Sequence, residues 1–351
     1  MAAGFTILVG DNTDATLTNV GQVEVLEKWG EPIRYQLSFT ADIIAGDLPQ
    51  LVDSELNPGT EISVFVTTDA GTQCLVKGPV HSHTVRLQNG GPGSTLVVQG
   101  ADNTIKMART DRSAIWSDST DSSVVQSIFN ANGMMNVDAD ETDSTYSEDK
   151  HTLVQRDNDL DFVYMLARRN GCLLWITYDD DAEEIVHFKR PVLDDLAAAE
   201  LSINLDEANV DQLDISWDVE RPDTVTGMQV DLNSLDTMDG QTTDSGLELL
   251  GGESMASIRG EPFTTHLGVA ADDVANMQSR ARALLTESNW FLNASCATSV
   301  ARLGDVVRSH RVINLRGAGS RYSGHYFVSG VRHLIDATSH IMHLTMVRNA
   351  W

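Results

Sequence analysis

Residues 153–178 read LVQRDNDLDFVYMLARRNGCLLWITY, a stretch that joins a helical pattern to a strand pattern. The spacing of its apolar residues predicts an amphipathic helix over Leu160–Asn170, capped by Asp159 and ended by Gly171. The apolar run that follows predicts a strand over 172–178. This part of the chain is therefore neither all helix nor all strand.

The neighbouring residues extend the same mixed unit. An acidic turn at Asp179–Asp181 is predicted to return the chain through a second strand over 183–191. Upstream, another helix is predicted over Asp121–Asn132, because Asp and Ser residues are typical of a helix start and the apolar residues that follow lie on one face. Gly133 would end this helix. Residues 104–200 are thus predicted to form an α+β unit.

Both flanks of this unit have the pattern of antiparallel β structure. Short, partly alternating apolar runs separated by turn clusters predict early strands at 5–9, 20–29, 34–40, 61–67, 74–83 and 95–99. Beyond the unit we expect strands at 201–205, 212–219 and 224–232, a mobile loop at 234–253, a helix at 270–289 and β structure at 290–351.

The predicted fold class is mainly β with an α+β insert. Two antiparallel β-barrel domains flank the α/β unit, the first over 1–103 and the second over 201–351. The inserted domain covers 104–200, and the second barrel carries the one long helix, at about 270–289. At roughly 100–200 residues per domain, the length of the chain agrees with two or three domains.

The chain is strongly acidic, since 51 Asp and Glu residues against 24 Lys and Arg give a formal net charge of −27. Binding to nucleic acid or to anionic lipid needs a basic face, so the charge argues against both classes. Abundant Asp with scarce Lys suits molar salt, where screening removes the self-repulsion. We therefore expect a halophilic source.

The cysteines and the first residues bear on the cellular compartment. Cys74, Cys172 and Cys296 are odd in number, far apart and without CxxC spacing, which predicts reduced thiols rather than disulfides or a zinc site. The start MAAGFTILVGDNTD has no signal-peptide pattern, and no apolar window approaches about 18 residues. We expect synthesis in the cytoplasm and no membrane anchor.

The histidine pairs and acidic runs that could bind a metal have simpler explanations. His81 and His83 would share one strand face, whereas His340 and His343 would not, and neither pair has Cys at ligand spacing. The carboxylates at 179–181 lack the glycine-containing pattern of a calcium loop and predict a solvated turn.

The remaining motif is GGPGST at 90–95, which lacks the Lys of a phosphate-binding loop and predicts a hairpin loop. No GxSxG elbow is present, and carboxylate pairs are too common in this chain to indicate glycosidase chemistry. The sequence predicts no enzyme, with no catalytic, cofactor-binding or metal-binding residue and no cofactor.

Three segments in series resemble a known family. They are Gly100 to Trp116 followed by DSTDSSVVQSIFNANGM at 118–134, then 153–176, then 303–305 leading into GSRYSGHYFVSGVRHLID at 319–336 and the end of a strand at 348–349. Together they resemble the tail hub proteins of contractile phages and injection machines: the phage late control protein D group, the T4 baseplate hub and the N-terminal part of VgrG. In that family the middle segment contains S-D-x-x-F, and here Asn158 stands where Ser is usual, before Asp159 and Phe162. His333 stands where the closing segment has a conspicuous His.

The resemblance implies a structural role. Both barrels would be hub-type, tube-like domains, and a homotrimer would form a pseudo-sixfold ring with the tail tube protein above and a spike below. Because the chain stops at Trp351, the spike would be a separate protein, with baseplate wedge proteins around the ring. DNA or an effector would pass through the channel without specific nucleic-acid binding, in a virion tail or an injection-system baseplate.

Two further expectations follow from this resemblance. Alternate residues of the barrel strands would line the channel, and an acidic lumen would repel DNA or an acidic effector during ejection. Aromatic residues expected to pack the subunits or the core are Trp29, Trp217, Tyr322, Tyr326 and Trp351.

Alternative functions remain open from the sequence. The hub of a non-contractile viral tail shares the barrels and would be distinguished by the absence of neighbouring sheath and baseplate genes. A halophilic, β-rich cell-wall hydrolase or glycan-binding protein would need a signal peptide or a recognisable acid/base pair, and neither is evident in the sequence.

Overall fold

The computed structural model describes residues 4–10, 12–17, 19–41, 51, 56–89, 93–143, 145–146, 152–230, 237–268 and 274–351. They form a mainly β structure with large antiparallel sheets and a few helices, which confirms the predicted fold class.

The strands of the first flank are β1 Gly4–Val9, β2 Asn12–Thr16, β3 Gln22–Lys28, β4 Arg34–Thr40, β5 Glu61–Thr68, β6 Gly71–Arg86 and β7 Thr95–Ala101. The middle contains β8 Ala114–Trp116, β9 Ser119–Thr120, β10 Val137–Ala139, β11 Thr145–Tyr146, β12 Leu153–Gln155, β13 Leu173–Tyr178 and β14 Glu184–Lys189. The second flank contains β15 Glu200–Ser202, β16 Leu213–Trp217, β17 Thr224–Val230, β18 Thr237–Thr242, β19 Thr264–His266, β20 Leu292–Ser299, β21 Val312–Arg316, β22 Gly324–Ile335 and β23 His340–Arg348.

The helices are α1 Asp121–Ala131, α2 Asp159–Arg169, α3 Met255–Arg259, α4 Val274–Ser288, α5 Val300–Leu303 and α6 Gly319–Tyr322, with a 3₁₀ helix at Asn103–Arg109. The first two confirm the predicted helices, and Gly133 and Gly171 follow them with φ of 86° and 67°, a backbone conformation that glycine adopts without strain. The predicted cap at Asp159 is wrong by one residue, because the side chain of Asn158 accepts the hydrogen bond from the Asp161 N–H.

A single sheet of 13 strands joins the two flanks of the chain. Its main path runs β16-β20-β23-β22-β3-β4-β7-β6-β5-β1-β2, and β21 pairs with both β22 and β15. The flanks meet where β22 pairs antiparallel with β3, placing Leu334 opposite Glu24. One hydrophobic core of residues from both flanks lies under this sheet. The domain boundaries at 103 and 200 stay a prediction.

The α+β middle has its own core, in which α1 and α2 pack with the sheet β10-β14-β13. A second small sheet, β18-β17-β19, packs against α4. The predicted loop over 234–253 is therefore wrong at β18, which pairs with β17, while residues 234–236 lie outside the described residues. The predicted helix over 270–289 is present from Val274, and residues 270–273 also lie outside the described part.

Candidate functional site: the open face of the central sheet

Eight consecutive strands of the central sheet, β16-β20-β23-β22-β3-β4-β7-β6, present one side to the core and the other to solvent. In β3 and β4, for example, residues alternate strictly between buried and accessible. Alternation of this kind is the signature of a half-buried antiparallel sheet. We call the accessible side the open face.

The open face is rich in amides, hydroxyls and small side chains. Its polar uncharged members include Gln22, Gln36, Ser38, Thr40, Ser82, Thr84, Thr95, Gln99, Ser216, Asn293, Ser295, Ser299 and Thr345. At its centre, Gln99 donates to Gln36 Oε1 at 3.1 Å. Such groups bind water or passing polar groups without selecting a charge.

Charge is sparse on this face although the chain is acidic. Among the described residues of the eight strands, the open face carries two carboxylates, Asp214 and Glu24. Its basic side chains are Lys28, Arg34, Arg86 and Arg332. Arg332 pairs with Glu24 through a bond of 2.6 Å. The acidic surface expected for a channel is therefore not found on this face.

Beneath the open face, β3 carries a buried carboxylate. Glu27 is 2% exposed, and Arg308 donates to it from Nε at 2.5 Å. Ser309 donates to the same carboxylate from its backbone N–H and its hydroxyl, each at 2.9 Å. Burial alone would raise the pKa of Glu27, but Arg308 and the donors from His333 and Ser309 outweigh burial and hold the pKa well below its usual value.

His333, the histidine that the resemblance singled out, belongs to this network. It is fully buried, with Nε2 3.3 Å from Glu27 Oε1 and Nδ1 3.0 Å from His340 Nε2. Burial, and next the neighbouring His333, lower the pKa of His340 to about 3. The Glu27, His333 and Ser309 side chains of this network are all buried. The network holds strands together.

Arg308 and His310 extend this network to other parts of the chain. Arg308 Nη1 and Nη2 donate to the carbonyl oxygens of Cys74 and Leu75 in β6, each at 3.0 Å. His310 stacks on Trp175 of β13, with ring centroids 4.4 Å apart. Burial lowers the pKa of His310 to about 3. One cluster thus connects both flanks and the α+β middle.

The segment at 155–159 has a structural role. Gln155 Nε2 donates to Asp159 Oδ1 at 2.7 Å, and Asn132 Nδ2 donates to Asp159 Oδ2 at 2.9 Å. Asn158 Oδ1 accepts a hydrogen bond from the Asp161 N–H at 2.9 Å, so Asn158 caps the helix as a Ser at this position would. These bonds fix the start of α2 against the end of α1.

Replacing Asn158 with Ala is expected to lower the free energy of unfolding by about 1 kcal/mol, since the Asp161 N–H loses its acceptor. Urea unfolding followed by circular dichroism would measure the change. Asn158→Ser, which restores a capping hydroxyl, should stay within a few tenths of a kcal/mol of the original chain. Equal losses in both variants would contradict the capping role.

The residues considered for metal binding lie as follows. A bulge between Val80 and Ser82 in β6 separates His81 from His83, so the expectation that they share a face is wrong. His340 is buried and His343 exposed, which confirms that this pair does not share a face. Among the described residues no group of three His, Cys, Asp or Glu side chains is placed to hold a metal.

Of the two predicted loops, the acidic turn at 179–181 is described by the structure and the Gly-rich loop at 90–95 is described only in part. Asp179 Oδ1 accepts from the N–H groups of Asp181 and Glu183, at 3.0 and 2.9 Å, so the acidic turn is closed by its own side chain. Of the Gly-rich loop at 90–95, residues 90–92 lie outside the described residues.

The aromatic residues singled out in the sequence fall into two clusters. Trp29 packs against Trp290 and Phe327, with centroids 5.7 and 5.4 Å apart. Trp217 meets Trp351 edge to face at 5.4 Å and stays 46% exposed at the end of β16.

The remaining two aromatic residues, Tyr322 and Tyr326, contact each other, and Trp351 of the second cluster also has a cationic neighbour. The hydroxyl of the buried Tyr326 donates to the carbonyl oxygen of Tyr322 at 2.8 Å. The guanidinium of Arg321 lies 4.6 Å from the ring centroid of Trp351.

None of the helices in the described ranges is long and apolar enough to cross a membrane.

The fold is shared with solved tail proteins along nearly the whole chain. The prophage MuSo2 43 kDa tail protein from Shewanella oneidensis matches with a TM-score of 0.71 and 12% identity, over 99% of each chain. A tail protein from Neisseria meningitidis MC58 matches with a TM-score of 0.69 and 13% identity, over 99% of this chain and 97% of its own. The E. coli c3393 protein, a component of the type VI secretion system, matches with a TM-score of 0.62 and 13% identity, over 97% and 76%.

Comparisons by sequence give one family and no individual relative. None of the curated proteins matches the chain. The profile of the family described as the Alg8 N-terminal domain matches residues 41–337, which is most of the chain. The protein therefore belongs to the Alg8 N-terminal domain family.

Proposed function

We propose that the protein is a structural hub of a phage-tail-like machine: a homotrimeric ring between the tail tube and a separate spike, with the open face lining the channel. The observation that carries the proposal is the eight-stranded sheet, which belongs to a fold shared over nearly the full length with tail proteins from Shewanella oneidensis and Neisseria meningitidis. The more specific kinship with the late control protein D and VgrG groups belongs to the same proposal.

The ends of this sheet support ring formation. Among the described strands β16 pairs only with β20, and residues 82–86 of β6 pair only with β7, so both ends have unpaired backbone groups. Exposed edges of this kind favour pairing with another chain. All seven contacts along the eight strands are antiparallel, so β6 of one copy runs opposite to β16 of the next. Three copies would close a wall of 24 strands.

The channel would then have a hydrogen-bonding wall with few charges. Its Gln, Ser and Thr side chains and its sparse charges would let DNA or an effector slide past without strong attraction or repulsion. The acidity of the chain lies elsewhere and would serve solubility in a salt-rich source. The same wall would serve the hub of a non-contractile tail, and sheath and baseplate genes beside this one would distinguish the two.

Light scattering in concentrated KCl tests the proposal, because salt screens the repulsion between copies of net charge −27. We expect a mass near three times 38.3 kDa for the chain alone, or that mass plus the mass of the bound spike when the neighbouring spike protein is co-expressed. A monomer in both preparations would refute the ring.

A further inference from the structure

The eight strands consist of two similar units of four. The first unit is β3-β4-β7-β6 and the second is β16-β20-β23-β22. Each unit ends in a long strand that is bent at a bulge, between Val80 and Ser82 in β6 and between Val328 and Gly330 in β22. The bulges therefore give a common reference point for aligning the two units.

The pairing registers agree from strand to strand when the units are aligned on these bulges. In the first unit the row across the four strands is Val80, Gly100, Tyr35 and Val25. In the second unit it is Val328, Met346, Ala294 and Ile215. Ile215 of β16 thus corresponds to Val25 of β3.

The chain already contains one junction between units. There β22, the last strand of the second unit, pairs with β3, the first strand of the first unit. In a ring, the other junction joins β6 of one copy to β16 of the next, and it is the counterpart of the first. Within the internal junction His333 lies opposite Val25. In the alignment of the units His333 corresponds to Val85, which therefore falls opposite Ile215.

We propose that β6 of one copy adds to β16 of the next in this register, an inference that rests on the ring proposed above. The five pairs, written with the β6 side first, are His83–Trp217, Thr84–Ser216, Val85–Ile215, Arg86–Asp214 and Leu87–Leu213.

Backbone hydrogen bonding supports the same register independently. The Asp218 N–H donates to Phe291 O, towards β20, so by alternation the N–H and C=O groups of Ile215 point to the free edge. The Val80 N–H donates to Thr60 O, away from β7, and the bulge that follows shifts the alternation by one residue. Beyond the bulge, the Gln88 N–H donates to Ser94 Oγ, towards β7, so the N–H and C=O groups of Val85 also point outward. Directly opposite residues of an antiparallel pair must share this orientation, and a shift by one residue would break it.

The apolar side chains on both edges match in this register. On the core side of β6 and just after it, Val85 and Leu87 are 40% and 58% exposed, and within the described chain no element buries them. On the core side of β16, Trp217 is 46% exposed. The register places Val85 against Ile215, Leu87 against Leu213 and Trp217 against the ring of His83, and it continues the core of one copy into the next.

The open-face side of the junction matches in charge. Arg86 and Asp214 are exposed side chains on opposite edges, and the register places them directly opposite each other. Beside them, Thr84 faces Ser216. Opposite charges directly across a strand pair stabilise it, and a slip by two residues would lose this pair.

Disulfide trapping tests the register. The variant Thr84→Cys with Ser216→Cys should form covalent dimers and closed trimers on mild oxidation, because opposite Cα atoms of such a pair lie within disulfide range. The control Ser82→Cys with Ser216→Cys replaces equivalent hydroxyls but is offset by two residues, and it should cross-link at least about tenfold less. The native cysteines are buried.

The outcomes separate the register from the ring. A control that cross-links better than the predicted pair overturns the register. A trimeric mass without any cross-link overturns the β6–β16 contact and leaves the ring standing. A monomer, even with the spike present, overturns both.

A charge exchange provides the second measurement. Arg86→Asp places two carboxylates opposite each other and should raise the concentration at which half of the chains are trimeric by about tenfold, measured at the lowest KCl concentration at which the original chain still assembles. Combining it with Asp214→Arg should restore the original value. If the double variant assembles no better than the single one, these two residues do not face each other.

Discussion

Replacing Glu27 with Ala is expected to lower the free energy of unfolding by about 3–5 kcal/mol, the range for breaking one side of a buried ion pair. Arg308 keeps its bonds to the carbonyl oxygens of Cys74 and Leu75 but loses its counter-charge in a buried site. Ser309 and His333 lose their acceptor at the same time. Urea unfolding at neutral pH measures the loss.

The matched control is Glu24→Ala, three residues earlier in the same strand but on the open face. It removes a partly exposed pair with Arg332 and should cost at most about 1 kcal/mol. Added salt distinguishes the two variants further. Screening by 2 M KCl weakens the exposed pair, so the loss caused by Glu24→Ala should shrink, whereas the buried pair and the loss caused by Glu27→Ala stay nearly unchanged. A loss below about 1 kcal/mol for Glu27→Ala would show that the network does not hold the two flanks together.

The two longer helices and the hairpin strands of the middle were predictable because each is specified by local periodicity and turn residues. The strand QVEVLEK at 22–28 even contains the signal for the buried carboxylate, since Glu27 continues the alternate row of Val23 and Val25. A charged residue in an apolar row of a strand indicates a buried partner. The identity of that partner, Arg308, was not readable, because it lies 281 residues away along the chain.

Pairing across the sheet was the part that sequence could not supply. Alternation places side chains on faces but does not select a neighbouring strand, so the junction of β22 with β3 had no local signal. The bulge in β6 follows Gly78 and Pro79, residue types that often accompany bulges, but its position was not fixed by them, and it reverses the face of every residue beyond it. The scarcity of carboxylates on the open face was not predictable for the same reason, since overall charge says nothing about one side of one sheet.

Acid is expected to destabilise the protein well above the pH at which carboxylates titrate. The pKa values of His310 and His340 are lowered to about 3, so the folded state binds fewer protons than the unfolded state below pH 6.5. The stability contributed by the neutral rings is complete above pH 6.5 and is lost as the pH falls towards 3. At pH 5 each of these two histidines lowers the free energy of unfolding by about 2 kcal/mol.

Asp102 opposes this effect in part. Burial raises the pKa of its carboxyl to about 6, so its charged form disfavours folding above that pH and protonation relieves the penalty. The relief is about 1 kcal/mol by pH 5, which leaves a net loss of about 2–3 kcal/mol between pH 7 and pH 5. Urea unfolding at the two pH values, at constant salt, measures the difference.

Single substitutions assign the loss to its source. His340→Gln should remove its share of the pH dependence, because the titrating ring that is buried beside His333 is gone. His343→Gln changes an exposed ring of the same strand and should leave the pH dependence as it was. If the original chain is equally stable at pH 7 and pH 5, the buried rings are not held neutral, and the network under the open face must take up a proton without opening the sheet.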